Sequence, residues 1–217
     1  MSAIGVLGGS FDPVHRGHVE LATRAALALS LDAVVLLPCA APPHKPERVL
    51  AAAYHRLEML YLAVEGRERL GVSTLEIAQG GVRYTIDSLR ALRHASPSRP
   101  PIFLIGSDAL AEIRSWRDYD ALLEEFDLAT ATRNDGDEAV RRGGWPEVVS
   151  RRETTAVSGL RVGAGGRVFK LEMALPEVSS SLVRRRRAAG EPVDDLVPAR
   201  IARYIQRHGL YSREGCR

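Results

Sequence analysis

Short apolar runs alternate with longer stretches of helical period along this chain. Ile4 to Leu7, Ala33 to Leu37, Ile102 to Ile105, Asp127 to Ala131 and Val168 to Met173 read as strands. The clearest is Ala33-Val34-Val35-Leu36-Leu37, a continuous run of the kind buried on both sides in a parallel sheet. Val72 to Ile77, of mixed polarity, is expected as a further strand. Val19 to Ser30, Tyr54 to Val64 and the segment through Ile86, Leu89 and Leu92 carry apolar residues at helical spacing. His55 and Arg56 fall on the polar side of the second, and Thr85 is a candidate cap for the third. A last helix carries Ile201, Tyr204 and Ile205 and stops near Gly209. Strand and helix in alternation predict an α/β fold, a Rossmann-like open parallel sheet with helices on both faces. One domain over 1–217 is expected, with a C-terminal helical segment, about 179–210, packed on it.

The loops after the strands carry the chemistry. Gly8-Gly9-Ser10-Phe11-Asp12-Pro13-Val14-His15-Arg16-Gly17-His18 links the first strand to the first helix. Adjacent glycines allow a sharp turn close to a ligand, and a helix start offers free N–H groups and a positive dipole end, so the stretch reads as a phosphate cradle. His15 and His18, three apart, would face the same side and donate hydrogen bonds to a phosphate. The spacing of Gly5, Gly8 and Gly9 does not fit G-x-G-x-x-G, which disfavours hydride transfer, and no G-x-x-x-x-G-K-[ST] occurs.

The first loop resembles the signature of the nucleotidyltransferase superfamily that shares an [HT]-x-G-H motif. Pro42-Pro43-His44-Lys45, Tyr84-Thr85, Ile105-Gly106-Ser107-Asp108, Trp116 and Val178-Ser179-Ser180-Ser181-Leu182-Val183-Arg184 follow in an order similar to that of bacterial nicotinate-nucleotide adenylyltransferases. The resemblance runs to Leu210-Tyr211 and implies a nucleotidyltransferase-type fold. It also implies transfer of AMP from ATP to nicotinate mononucleotide, with His15 and His18 catalytic. Gly8, Gly9, Ser10, Phe11, Lys45, Gly106, Asp108, Arg133, Ser179, Ser180 and Arg184 would hold ATP and its phosphates, and His44, Thr85 and Trp116 the nicotinate nucleotide. Arg133 is followed by Asn134-Asp135-Gly136 where the family commonly has Pro-Gly, which weakens its match, and 137–166 aligns loosely.

Bulk properties add limits. The 217 residues, 45% hydrophobic, can bury a full core, and no run approaches the ~20 apolar residues that span a bilayer. Neither a membrane nor a nucleic-acid partner is expected. Cys39 and Cys216 form no disulfide framework or metal-ligand pair, which suits the cytoplasm. A net charge of +3 suits polyanionic small molecules as well as nucleic acid and decides neither. Mg²⁺ is expected to arrive on ATP, with no protein metal site. A homo-oligomer is compatible with the sequence and is not decided by it. Nicotinamide mononucleotide or phosphopantetheine as acceptor, a nucleic-acid-binding module and a silent nucleotide sensor stay open as alternatives.

Overall fold

The computed structural model describes residues 3–41, 49–132, 144–155 and 164–212. Seven parallel strands form one sheet: β1 (Ile4–Gly9), β2 (Ala33–Pro38), β3 (Leu70–Val72), β4 (Pro101–Ile105), β5 (Asp127–Thr132), β6 (Glu153–Thr155) and β7 (Val168–Glu172). Their order is β3-β2-β1-β4-β5-β7-β6. The chain therefore starts in the middle, builds one half outward, then crosses back over β1 to β4 and builds the other. Ligands of such sheets bind at the carboxyl ends of the strands where the order reverses, here between β1 and β4.

Side-chain alternation along the strands divides the core into two clusters. Leu7, Leu36, Ile102, Leu104 and Phe169 face one side, with Ala22, Ala25, Leu60, Val183 and Ile201. Those partners come from α1 (Arg16–Ala28), α2 (Ala53–Val64) and two C-terminal helices, Ser180–Ala188 and Ala199–Arg207. Val6, Leu37, Phe103, Ile105 and Leu128 face the other side. There they meet α3 (Leu75–Gln79), α4 (Thr85–Ala95), α5 (Ser107–Ala111), a 3-10 turn (Ile113–Ser115), α6 (Tyr119–Glu125) and α7 (Glu147–Ser150). The C-terminal pair are α8 and α9 in chain order. The sheet thus has helices on both faces, as the alternation of strand and helix predicts.

Four local expectations change. The strand expected over Val72 to Ile77 stops at Val72, and Leu75–Gln79 is helical. Glu76 turns inward there, buried at 6% exposure, and its carboxylate accepts the Ser88 hydroxyl at 2.6 Å, a contact no strand alternation anticipates. Burial raises the Glu76 pKa above the usual carboxylate value. Thr85 is the first residue of α4, and the cap is Tyr84, which makes no side-chain cap bond. Arg56 leaves the polar side of α2 for the interior, at 2% exposure. Gly8 and Gly9 belong to β1, in register with Leu37 and Pro38, and turn nothing. The polar β6 pairs with β7 and had no apolar signal to announce it.

Candidate active site

The turn after β1 is made by Phe11, at φ +46°, whose ring is buried and meets the His18 ring edge-on at 4.9 Å. The Phe11 side chain is therefore packed inside, and only its main chain can face a ligand. Gly8 packs closely on the core: a Cβ there would lie 3.1 Å from the Phe103 ring, so the ring would have to give. His15 is the N-cap of α1 rather than a residue within it, and it makes a reciprocal box with His18. The His18 main-chain N–H donates to His15 Nδ1 at 3.4 Å, and the His15 N–H donates to His18 Nδ1 at 3.2 Å. The rings stack with centroids 3.6 Å apart. An Nδ1 that accepts cannot carry a proton, so each neutral ring holds its proton on Nε2.

Burial reinforces that state. It lowers the His15 pKa to about 4, and burial together with the adjacent His15 holds His18 well below 6.5. Near neutrality the pair is two uncharged N–H donors. Gly17, between them in sequence, makes room: a Cβ would sit 3.2 Å from the His15 ring and 3.3 Å from Val178 Cγ1.

Both rings line a cavity of about 560 Å³ at the reversal of strand order. Leu7 and Gly8 from β1 and Gly106, Ser107 and Asp108 after β4 form one side. Leu21, Met173, Leu175 and Val178 supply apolar wall, and Glu177 and Ser179 a polar edge. Gly106 and Asp108 are solvent-exposed at the start of α5. Flat apolar wall beside hydroxyl, carboxylate and imidazole groups suits a nucleoside joined to phosphate.

The start of α8 is tied to the first loop. Ser179 caps the helix by accepting from Leu182 N at 3.1 Å, and Ser180 Oγ donates to Pro13 O at 2.9 Å. Arg184 Nη1 donates to Asp12 O at 2.6 Å and Nη2 to Ser181 Oγ at 3.0 Å. Ser10 gives its carbonyl to Arg56 Nη1 at 2.9 Å, and the same nitrogen reaches Cys39 O at 2.8 Å. Arg56 Nε donates to Ala51 O at 3.1 Å. One buried guanidinium thus binds together the loops that follow β1 and β2.

Thr85 and Trp116 lie outside that cavity's lining, on the other side of the sheet. Ala41, after β2, bridges to Val82, which brings the Tyr84-Thr85 segment beside the loop following β2. Tyr84 and Trp116 pack on the same core cluster. Trp116, half-buried, stands edge-on to Phe103 at 6.0 Å, and Arg117 lies over the Tyr84 ring at 4.6 Å. Phe103 is also the ring beneath Gly8, so it links this second group to the first loop. His44, Lys45 and Arg133 lie outside the described residues.

The family model described as cytidylyltransferase-like matches residues 6–186. A probable nicotinate-nucleotide adenylyltransferase of Symbiobacterium thermophilum is 38% identical, over 98% of this chain and 97% of its own length. One from Bordetella petrii is 39% identical, over 97% and 100%. The chain belongs to the nicotinate-nucleotide adenylyltransferase family. The fold is shared further: the Plasmodium falciparum nicotinic acid mononucleotide adenylyltransferase complexed with NaAD superposes with a TM-score of 0.74. That likeness covers 97% of this chain and 98% of the other at 18% identity.

In this member of the adenylyltransferase family several residues that hold the first loop in place carry no such role in the sequence pattern. Gly17 and Asp12 stand inside the first-loop motif without an assigned role, Arg56 is read as the polar side of its helix, and Tyr211 marks only the end of the resemblance. For Gly17 the signal was available, since a glycine between two histidines at a helix start has no conformational excuse. For Arg56 it was not, because an arginine beside a histidine on a helix reads as solvated.

Proposed function

We propose that this protein transfers the AMP unit of ATP to nicotinate mononucleotide, forming nicotinate adenine dinucleotide and pyrophosphate. The observation that carries this reading is the stacked, neutral His15–His18 pair on a nucleotide-sized cavity at the β1/β4 reversal, in a chain of this family. The acceptor phosphate, with a second pKa near ~6, is already an anionic nucleophile at neutral pH and needs no general base. It attacks the α-phosphorus of ATP, an acceptor-oxygen-to-phosphorus bond forms, and the bond from that phosphorus to the leaving pyrophosphate breaks.

The protein's part is alignment and charge stabilisation. His15 and His18 direct Nε2–H toward the oxygens of the reacting phosphoryl group. Gly8, Gly9, Ser10 and Phe11 present main chain to it, while Ser179, Ser180 and Arg184 hold the β- and γ-phosphates with Lys45 and Arg133. Gly106 and Asp108 take the ribose hydroxyls. Thr85, Trp116 and His44 form the pyridine side, where the ring stacks on indole and its carboxylate meets Thr85 and the positive charge near Tyr84.

Magnesium fits as part of the nucleotide. No group of three or more metal-ligating side chains exists among the described residues, and Mg²⁺ commonly binds through substrate phosphates and water. It would shield triphosphate charge there. No helix among the described residues is long and apolar enough to cross a membrane. We place the reaction in the cytoplasm on the cysteine usage, two cysteines with no disulfide framework. The test is label transfer. ATP labelled at the α-phosphorus should yield labelled dinucleotide only when nicotinate mononucleotide is present, and label at the γ-phosphorus should leave as pyrophosphate. Label retained in ATP would overturn the reading.

A further inference from the structure

Within the first loop lies a buried carboxylate that is not among the residues lining the cavity. Asp12 is 1% exposed and sits three residues before His15. Its Oδ1 accepts the Ala51 N–H at 3.2 Å and the Tyr211 hydroxyl at 2.8 Å, and its Oδ2 is 3.8 Å from Arg184 Nη1. Its main-chain carbonyl is also an anchor for Arg184. Tyr211 reaches this place from the C-terminal end of the described chain. It follows Gly209, at φ +61°, and itself occupies the left-handed region at φ +61°, an unfavourable conformation for a tyrosine that its contacts must hold. Leu210 N–H to Ile205 O at 3.0 Å and Ser212 Oγ to Gly209 O at 2.8 Å close the turn around it. Burial and the adjacent Asp12 push the Tyr211 hydroxyl pKa far up despite Arg184 and Arg56 nearby, so the group stays a donor.

We propose that Tyr211 is a positioning residue for the triphosphate half of the site, acting through Asp12 on Arg184. This rests on the functional reading above. The hydroxyl fixes the Asp12 carboxylate, the fixed Asp12 presents its carbonyl to Arg184 Nη1, and Ser181 holds Nη2, so the plane of the guanidinium is set from both ends. When the hydroxyl is lost, Oδ1 loses its side-chain donor from the C-terminal turn, and the carboxylate shifts toward the guanidinium 3.8 Å away. Arg184 then leaves the carbonyl for the carboxylate, and its orientation toward the β- and γ-phosphates goes with it. The α-phosphate, served by the histidines, is spared.

The test is equilibrium binding to the full chain, which needs no turnover. Tyr211→Phe keeps the ring packing and removes the donor. It should weaken Mg-α,β-methylene-ATP on the order of fivefold, the loss of one hydrogen bond's worth of alignment, and leave AMP within about twofold. Adding Asp12→Asn, which removes the charge that competes for Arg184, should recover most of the loss. Equal weakening of both nucleotides, weakening of neither, or no recovery in the double variant would overturn the proposal. Label transfer by the wild-type protein is scored separately, so failure of the acceptor assignment would not be mistaken for failure at Tyr211.

Discussion

His15 and His18 each give Nδ1 to the other's main-chain N–H, so one hydrogen-bond pair caps the helix and also fixes both imidazole tautomers. The cap bonds leave the Nε2 protons for a ligand. A histidine pair that needed to be cationic would be badly placed here, since burial and ring stacking both oppose charge.

The first prediction concerns pH and rate. Neutral donors have no proton to lose near pH 7, so kcat/KM should be flat from about pH 7 to 9. It should fall below ~6, where the acceptor phosphate gains its second proton. A loss of rate with rising pH centred on 6.5 would mean an imidazolium is the working form.

Stability has its own pH signature. A His15 pKa lowered to about 4 means that, between there and 6.5, the unfolded chain binds the proton and the folded chain does not. Stability is therefore fully present above 6.5 and falls as pH drops toward 4, by on the order of 3 kcal/mol if the whole shift is realised. Denaturant titrations at pH 7.5 and 4.5 should differ in that direction. His15→Asn, which can still cap, should reduce the difference, and the part that remains belongs to His18, whose pKa burial also lowers.

Individual donors can be counted. His18→Ala removes the Nε2 donor and should lower kcat by on the order of 10² or more with the fold retained. Gly17→Ala should lower kcat in the same direction, because the added methyl meets the His15 ring at 3.2 Å and moves it. Normal turnover in the His18 variant would take that ring out of the mechanism.

Trp116→Ala should raise the acceptor KM and leave kcat and the ATP KM largely unchanged, as stacking binds ground and transition states alike. A raised ATP KM would reassign Trp116 to the adenylate side.

Arg56→Met should cost on the order of 3 kcal/mol, a fall in Tm of roughly 6–12 °C for a chain of this size, since it takes one shared donor group from the part-buried carbonyls of Ser10, Cys39, Ala40 and Ala51. A change under about 1 °C would show that those carbonyls find other donors.

Which of these features the sequence discloses follows from their range along the chain. β1, β2 and β4 are legible because both faces of each are buried, so their apolar runs are continuous. The β3–α3 corner is not, because Glu76 points inward and is satisfied by Ser88, twelve residues on. The His-x-Gly-His spacing discloses a paired site but not its geometry: helical periodicity puts both rings on a helix face, while the structure makes His15 the cap. The Asp12–Tyr211 bond spans 199 residues and leaves no periodic trace. Arg56 misleads because hydropathy reads its charge and cannot see the four carbonyls that satisfy it.

The acceptor distinguishes this enzyme from others that share its phosphate loop. Pyrophosphate release should be followed with Mg-ATP and, in parallel, nicotinate mononucleotide, nicotinamide mononucleotide and phosphopantetheine. Release with nicotinate mononucleotide, and at most a small fraction of it with the other two, is the result predicted here. Release only with another acceptor, or with none, would rule out nicotinate mononucleotide as the substrate.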